Sequence, residues 1–586
     1  MKKLILLIFV ICFFVLKGNS QPLWNNVEII PDVMNKARVL YQINNTTFAE
    51  TVDFDSLPVF PGFPKQFTGT TFEGAIFCNL DTDPEMEVVI NIGFTVQAFN
   101  LDGTPVPGWP KTVSSYPLEG APAFGDIDGD GQGEIVVTNR GLTSGGFIYA
   151  FKKDGTLLPG YPKNHGYSIR TPVLADVDGD GALEIIVNLR SPAGVWIYKG
   201  NGTVLSGWPR PLNSVPASSA AVGDIDGDNL PEIIAESYNS LYAWKANGDS
   251  IPGFPFTPPT GAVFSYSSPV LVDIDGDSKR EIICGTHVLG GGGYLYIIKQ
   301  DGSVYPNWPK YTNYWIYAPV SVGYIDTDNT LDVVIGDQVG SAIPVDYVYG
   351  WSVNGTPLNG FPIGPINAVN CQVVLADIDN DYKTELIFDD NTYVSNVGKY
   401  LAYNNDGTPC NGWPLFLNGS SFFTTPCISD LNKDGVLDMV GAGVISTSNI
   451  TYLYIWNMMS PIHPILIYNP MWQFNTRHNG IYGDIDPIVS INNKSTPFVQ
   501  SFQLQQNFPN PFNSNTVIKF EIYKKAKTTL RVYDINGKLI QELVNSVLDK
   551  GNYSINYNAT NYPSGIYFYE LTSDGRTSVK KMILIK

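Results

Sequence analysis

The sequence predicts an all-β chain: eight four-stranded blades arranged as a propeller, with seven blades and a detached repeat as the alternative, then a small immunoglobulin-like β-sandwich. Three observations support this class. An acidic nine-residue loop recurs eight times, its last acid returning after 47, 50, 48, 49, 51, 53 and 53 residues. Short β-branched and aromatic runs separated by turn residues take the place of any helical periodicity. Beyond residue 502 the repeat stops and a separate set of alternating strands begins. At 586 residues the chain exceeds one ordinary core, and 44% hydrophobic against 16% charged residues describes a folded chain rather than a disordered one.

Residues 1–20 read as a secretory signal: Lys2-Lys3, an apolar run from Leu4 to Leu16, then Gly18-Asn19-Ser20 before a cut at Gln21. Thirteen apolar residues are too few to span a bilayer, and no other long apolar stretch exists, so the mature chain is expected to lack a membrane span. Residues 21–57 form an N-terminal extension, 58–483 the repeat array, 484–500 a polar linker and 501–586 the last module.

Five repeats open with a small residue and proline, Ala121-Pro122, Thr171-Pro172, Ser268-Pro269, Ala318-Pro319 and Thr425-Pro426, which start a short strand before the acidic loop. An apolar strand such as Glu184-Ile185-Ile186-Val187 follows the loop, and then an alternating aromatic one such as Leu241-Tyr242-Ala243-Trp244. A hairpin turn comes next, Asp154-Gly155 or Asn247-Gly248 for example. The fourth strand is marked by a Gly-aromatic-Pro signature, its proline fitting an edge strand. Eight signatures run from Gly62-Phe63-Pro64 to Gly412-Trp413-Pro414; the first precedes the first loop and none follows the last. The strand near Val59 to Pro64 is therefore expected to complete the final blade by pairing with Tyr452 to Trp456. Trp472 to Gly480 ends the array.

The loop Asp126-Ile127-Asp128-Gly129-Asp130-Gly131-Gln132-Gly133-Glu134 places acids at positions 1, 3, 5 and 9, hard oxygen donors suited to Ca²⁺. Its strand flanks and its last acid at position 9 distinguish it from an EF-hand. Four more loops keep all four acids: Asp176, Asp178, Asp180 and Glu184; Asp224, Asp226, Asp228 and Glu232; Asp273, Asp275, Asp277 and Glu281; Asp377, Asp379, Asp381 and Glu385. Three are degenerate: Asn79 with Asp81, Asp83 and Glu87; Tyr324 with Asp326, Asp328 and Asp332; and Asp430, Asn432, Asp434 and Asp438. Position 6 favours residues that tolerate a left-handed backbone, with Ser278, Tyr382 and Pro84 as exceptions. The formal charge is −19, yet 29 of the 55 Asp and Glu residues occupy loop positions. Eight bound Ca²⁺ would cancel about 16 charges. A nearly neutral metal-loaded protein with no basic patch is not expected to partner nucleic acid.

These repeats resemble the FG-GAP or VCBS family over roughly residues 60–460, on the D-x-D-G-D-G-x-x-E loop and its following strand. The resemblance implies a propeller with structural Ca²⁺ between the first two strands of a blade; Tyr324 departs from the pattern. In the last module, Asn507-Phe508-Pro509-Asn510-Pro511-Phe512-Asn513 precedes alternating strands, the turn Asn536-Gly537 and Lys580 to Lys586. This module is similar to the C-terminal sorting domain of type IX secretion substrates, which implies contact with that machinery and a secreted or cell-surface protein exported through the periplasm.

Four acids per loop saturate Ca²⁺ and leave no position for substrate, so the metal role is structural. Segments between the signature and the next loop should surround the mouth of a propeller and are rich in aromatics, among them Tyr167, Tyr266 and Phe423. Tyr311, Tyr314, Trp315 and Tyr317 form the densest patch, suited to sugar rings or an extracellular protein, although such rings also pack between blades. A non-catalytic binding or adhesion module for carbohydrate or protein is the expected function. A polysaccharide lyase with His165 as base and Arg170 as clamp is the alternative, and a purely structural surface-layer component a third. The five cysteines beyond the signal, Cys78, Cys284, Cys371, Cys410 and Cys427, lack metal or disulfide spacing and read as buried apolar residues.

Overall fold

The computed structural model describes backbone strands within residues 24–53, then residues 57–484 apart from 115, 141–144, 169, 217, 260, 265, 327, 329, 340–343 and 392–396. It also describes 502–586 apart from 508, 523–524, 535–537 and 574–575. The expected signal, residues 485–500 of the linker and the Asn536-Gly537 turn lie outside the described residues. The chain divides into two units, Met1–Lys494 and Ser495–Lys586. All regular structure described is β apart from two 3₁₀ turns. Within the expected extension, Trp24–Val33, Lys36–Ile43 and Thr46–Asp53 form an antiparallel three-stranded sheet that patterning did not foresee.

Among the described residues 57–484, the repeats form eight small antiparallel sheets in a propeller-like all-β fold. The second sheet illustrates the plan. Its strands Ala123–Gly125, Glu134–Thr138, Phe147–Phe151 and Lys163–Asn164 pair in sequence order, with Ile135 opposite Phe124 and Phe151. The strand after each loop is an unbroken apolar run because both of its faces are covered: Glu134–Thr138, Glu232–Glu236 and Glu385–Asp389 are buried at every position. Apolar cores lie between successive sheets, Ile148 with Leu174 and Ile185 joining the second to the third, Val334 with Leu375 and Leu386 the sixth to the seventh. One core holds Val89, Ile135 and Val440 together and so joins the eighth sheet to the first and the first to the second. The five cysteines are buried and form no disulfide among the described residues.

The eighth sheet takes its outer strand from the start of the array. Lys65–Thr68 pairs with Ile450–Pro461, Leu453 opposite Lys65, and Val59 bridges Trp456. The partner segment is the expected one, but the regular strand begins just past the Gly-Phe-Pro signature. In other sheets too the signature is the turn that leads into the fourth strand rather than part of it: Gly108-Trp109-Pro110 precedes Lys111–Thr112. That turn seats on the hairpin of the following sheet. Gly108 (φ +90°) leaves no room for a Cβ, which would meet the Asp154 carbonyl, and Gly253 faces Asp301 in the same way. Trp109 Nε1 donates to the Lys153 carbonyl at 2.8 Å and Trp308 Nε1 to the Val353 carbonyl at 2.8 Å. Gly62, whose strand completes the eighth sheet, makes the equivalent approach to Asp102 of the first.

The segment that follows the eighth sheet does more than end the array. Ile467–Asn469 pairs with Val374–Ala376 of the seventh sheet. The Pro470 carbonyl accepts from Ile428 N–H of the eighth, Thr476 from Phe124 of the second, Arg477 from Leu174 of the third, Asn479 from Val222 of the fourth and Gly480 from Leu271 of the fifth. Asn469 Nδ2 reaches Ser321 Oγ of the sixth at 3.0 Å, and Met471 enters the core of the first. The segment thus visits the first strand of one sheet after another.

In the C-terminal unit, Phe502–Leu504, Asn515–Ile522 and Gly551–Asn558 form one sheet. Ala526–Asp534, Leu539–Leu548, Gly565–Ser573 and Arg576–Leu584 form the other. Both sheets contribute to one core containing Ile518, Phe520, Leu530, Tyr557, Tyr569 and Leu584. The Asn-rich motif is tied to the last strand: Asn510 Oδ1 accepts from Ile583 N–H at 2.8 Å, and buried Asn507 donates to Thr516 Oγ1 at 2.9 Å.

Candidate functional site

The acidic loops are held in shape by their own backbone. In the second repeat, Asp126 accepts from Gly129 and Gly131 N–H at 2.7 and 2.8 Å, Asp128 from Asp130 N–H and Asp130 from Gln132 N–H. Such double acceptance requires a left-handed residue at position 6. Gly131 (φ +83°) supplies it, and Ser278 (φ +72°) and Tyr382 (φ +64°) adopt it although their side chains resist it. The ninth residue clamps the loop to its strand: Glu134 Oε2 accepts from Ile127 N–H at 3.0 Å, Glu232 from Ile225 at 2.9 Å and Glu385 from Ile378 at 2.8 Å.

The second oxygen of that clamp fits a cation. Glu134 Oε1, Glu385 Oε1, Asp332 Oδ1 and Asp438 Oδ1 are buried without a hydrogen-bond partner, whereas Glu232 Oε1 faces Lys245 Nζ at 3.7 Å. An unpaired buried carboxylate oxygen is costly unless a positive charge faces it. Asp377, Asp379, Asp381 and Glu385 each offer an oxygen within 4.8 Å of the others, as do Asp81, Asp83 and Glu87; Asp126, Asp128 and Glu134; Asp176, Asp178 and Glu184; and Asp224, Asp226 and Glu232. The donor set is all oxygen, which suits a hard divalent ion. Burial pushes Glu87, Glu134, Glu184, Glu232 and Glu281 up to about 7, against the pull of the loop N–H, with neighbouring carboxylates adding to the rise. Asp332 rises to about 7, Asp438 to about 8 and Glu385 to about 9 for the same reason.

Sequence reasoning missed the lysines at these loops. Lys152 Nζ lies 3.1 Å from Asp128 and 3.0 Å from Asp130, Lys199 contacts Asp178 and Asp180, and Lys245 is 2.9 Å from both Asp226 and Asp228. Each stands two residues before the hairpin Asp or Asn, a spacing that could have revealed them. In the degenerate loops, Asn79 Nδ2 donates to the Asp83 and Glu85 carbonyls, and Tyr324 turns its ring toward Tyr468.

Two cavities lie at the other ends of the second strands. One, of about 500 Å³, is lined by Tyr314, Trp315, Tyr317, Gln338 and Gly290-Gly291. Trp315 is fixed by its Nε1 donating to the Val288 carbonyl at 3.1 Å and by the His287 ring 4.6 Å away. Tyr311 is absent from that lining; it is 54% exposed and packs edge-on to Tyr294. The other cavity, of about 160 Å³, carries Arg140, Arg170 and Arg190. Arg170 is 9% exposed and pairs with buried Glu73 at 2.7 Å. His165 is also buried and lowered to about 4 by desolvation, against the pull of the Gly146 backbone. Among the described residues no hydrogen bond or ion pair joins His165 to Arg170.

Comparison with known proteins identifies two regions. The model of the FG-GAP-like repeat matches residues 126–187 and 176–235, and that of the secretion system C-terminal sorting domain matches residues 506–586. No curated protein sequence matches the chain. Among solved structures, the V. cholerae biofilm matrix protein Bap1 is similar at 13% identity and a TM-score of 0.37, covering 74% of this chain and 96% of its own. The C-terminal domain of Pseudomonas aeruginosa PilY1 is similar at 13% identity and a TM-score of 0.31, with 65% and 88% covered. BBS1N in complex with ARL6DN gives 10%, 0.30, 54% and 90%. Likeness at these scores assigns no activity. The sorting domain makes the chain a type IX secretion substrate, secreted or held at the cell surface, and no helix among the described residues is long and apolar enough to cross a membrane. The chain carries FG-GAP-like repeats and ends in a secretion system C-terminal sorting domain.

Proposed function

We propose that the exported chain is a non-catalytic glycan-binding module built on an eight-bladed propeller, with structural Ca²⁺ in its acidic loops and an immunoglobulin-like sandwich as its sorting domain. Closure is supported by the approach of Gly62 to Asp102, which repeats between the eighth sheet and the first the contact made by Gly108 with Asp154. The circuit of residues 467–480 past successive first strands supports the same arrangement. Ca²⁺ is supported by the convergent carboxylates and their unpartnered buried oxygens. It would be held by the acids of the full loops and, with fewer carboxylates, by Asp81, Asp83 and Glu87, by Asp326, Asp328 and Asp332, and by Asp430, Asn432, Asp434 and Asp438.

The observation that carries the binding role is the cavity of about 500 Å³ with Tyr314, Trp315 and Tyr317 on its wall and Gln338 beside them. Aromatic planes with a neighbouring amide suit the apolar face and hydroxyls of a sugar. Tyr311 would serve as an exposed flank. Catalysis by His165 and Arg170 has less support, since His165 is buried and Arg170 is occupied by Glu73. The test is a glycan and matrix-protein array probed with the mature protein and with Trp315→Ala, with product analysis of every bound glycan. Saturable binding lost in Trp315→Ala supports the role; new unsaturated sugar ends, or binding indifferent to Trp315, refute it.

A further inference from the structure

We propose that the smaller cavity binds the carboxylate of a uronic-acid unit, so that the ligand is an acidic glycan spanning both cavities; this rests on the glycan reading above. The arginine cavity holds more positive than negative charge. Glu73 is fully engaged by Arg170 Nη1 at 2.7 Å and by the Thr171 N–H and hydroxyl. Glu119 is engaged by Arg140 at 2.7 Å. Arg190, the third guanidinium, has no carboxylate partner among the described residues and rests 5.8 Å from the Tyr167 ring centroid. A small cavity with one surplus guanidinium favours an anion.

Aromatic rings set the direction in which these arginines can donate. The Arg170 guanidinium carbon lies 4.7 Å from the Tyr266 centroid and 5.3 Å from that of Phe423. Arg140, like Arg190, lies 5.8 Å from that of Tyr167. Rings that cover guanidinium faces leave the N–H edges for hydrogen bonding, and a forked edge matches the two oxygens of a carboxylate. At about 160 Å³ the cavity accommodates one charged substituent rather than a chain.

The same rings connect the two cavities. Trp315 stacks on Tyr317 with centroids 6.1 Å apart and planes 13° off parallel, and Tyr317 stacks on Tyr266 at 4.7 Å and 13°. Tyr266 in turn carries Arg170. A run of nearly parallel planes therefore leads from the aromatic cavity to the arginine cavity. A ligand with a sugar face at one end and a carboxylate at the other uses both, whereas an acidic peptide has no use for the aromatic wall.

The experiment is calorimetric titration of the mature protein in Ca²⁺ with an oligoglucuronate, with its carboxyl-reduced counterpart and with polyglutamate. The oligoglucuronate is expected to bind at least about tenfold more tightly than the reduced form, the worth of one charge-assisted pair. Arg190→Gln should remove that preference and leave the reduced form unaffected. Trp315→Ala should weaken both glycans, and Arg190→Lys should restore only part of the preference because it returns the charge without the fork. Equal binding of both glycans, no effect of Arg190→Gln in a variant of unchanged melting temperature, or polyglutamate binding as tight as oligoglucuronate overturns the inference. The comparison of the two glycans needs no variant, so a poorly folding substitution does not decide it. Binding of the reduced form alone defeats only the acidic ligand, while binding of neither glycan defeats the glycan reading itself.

Discussion

Replacing Glu385 by Gln should have opposite effects on stability with and without Ca²⁺. The Glu385 carboxyl is fully buried, with Oε2 on Ile378 N–H and Oε1 unpartnered, and burial holds it up at about 9 against an ordinary 4.5. In the metal-free protein at pH 7 the folded state must keep a proton that the unfolded chain has released. Over the interval from 4.5 to 7 this costs the fold about 3 kcal/mol. Gln is nearly isosteric, keeps an acceptor for Ile378 and carries no charge, so Glu385→Gln should raise the urea midpoint in EDTA. In Ca²⁺ the ionised carboxylate is neutralised by the ion, and a thousandfold excess of ligand over its dissociation constant is worth about 4 kcal/mol to a site that binds it. The wild-type protein should then gain more than the variant, and the order should invert. Urea unfolding at pH 7 in EDTA and in CaCl₂ tests this. A variant less stable than wild type in both conditions, or an equal Ca²⁺ gain in both proteins, would refute the reasoning.

The same loops set a pH dependence. Glu87, Glu134, Glu184, Glu232 and Glu281 sit near 7 in the fold and 4.5 in the unfolded chain, so their contribution is fully present below 4.5 and lost as pH rises through 7. EDTA-treated protein should lose thermal stability between pH 5 and 7, and saturating Ca²⁺ should remove or reverse the slope; a metal-free protein more stable at pH 7 than at pH 5 would contradict this. Two glycines separate backbone strain from contact between sheets. Gly131 (φ +83°) has nothing within 4 Å of an added Cβ, whereas at Gly253 (φ +94°) the Cβ would fall 1.8 Å from the Asp301 carbonyl oxygen. Chemical denaturation should show Gly131→Ala losing about 1 kcal/mol and Gly253→Ala about 3 kcal/mol, since overpacking adds to the strain; equal losses would mean that the signature turn does not lock neighbouring sheets. Deleting residues 506–586 should leave the protein inside the cell envelope, read by fractionation and immunoblot, and unchanged export would show that another segment carries the address.

Much of this protein was legible because its information is local. The acidic loop, the hairpin Asp-Gly or Asn-Gly and the small-residue-proline start each lie within a few residues, and eight imperfect copies make the period visible. The left-handed position 6 could be read from Gly131 and Gly181, whereas at Ser278 and Tyr382 the loop imposes the same conformation on residues that do not favour it. What escaped was long-range. Residues 467–480 carry no repeat, and their bonds span the array: Gln473 Nε2 reaches the Ala220 carbonyl, and His478 Nε2 lies 2.9 Å from that of Pro122, 356 residues away. The rim aromatics illustrate a choice that patterning could not make. Tyr266, Tyr317 and Phe423 pack on one another and still line a cavity, so packing and lining are not alternatives here.

The strand after each loop keeps the cation positions apart from the cavities. Glu281 begins such a strand and His287 ends it, with Gly290 of the aromatic cavity just beyond; Glu184 begins another that reaches Arg190 near its end. Seven extended residues separate their ends by about 20 Å, so a carboxylate that holds a cation cannot also touch a ligand in either cavity. On the proposed reading, cation and ligand would be coupled only through the stability of the strand between them. At the far ends of the second strands Trp315, Tyr317, Tyr266 and Arg170 stack in sequence, which is where the proposed ligand would lie. On the proposed reading, the acidic loops, which dominate the sequence, would support a recognition surface whose residues are scattered among the least repetitive parts of the chain.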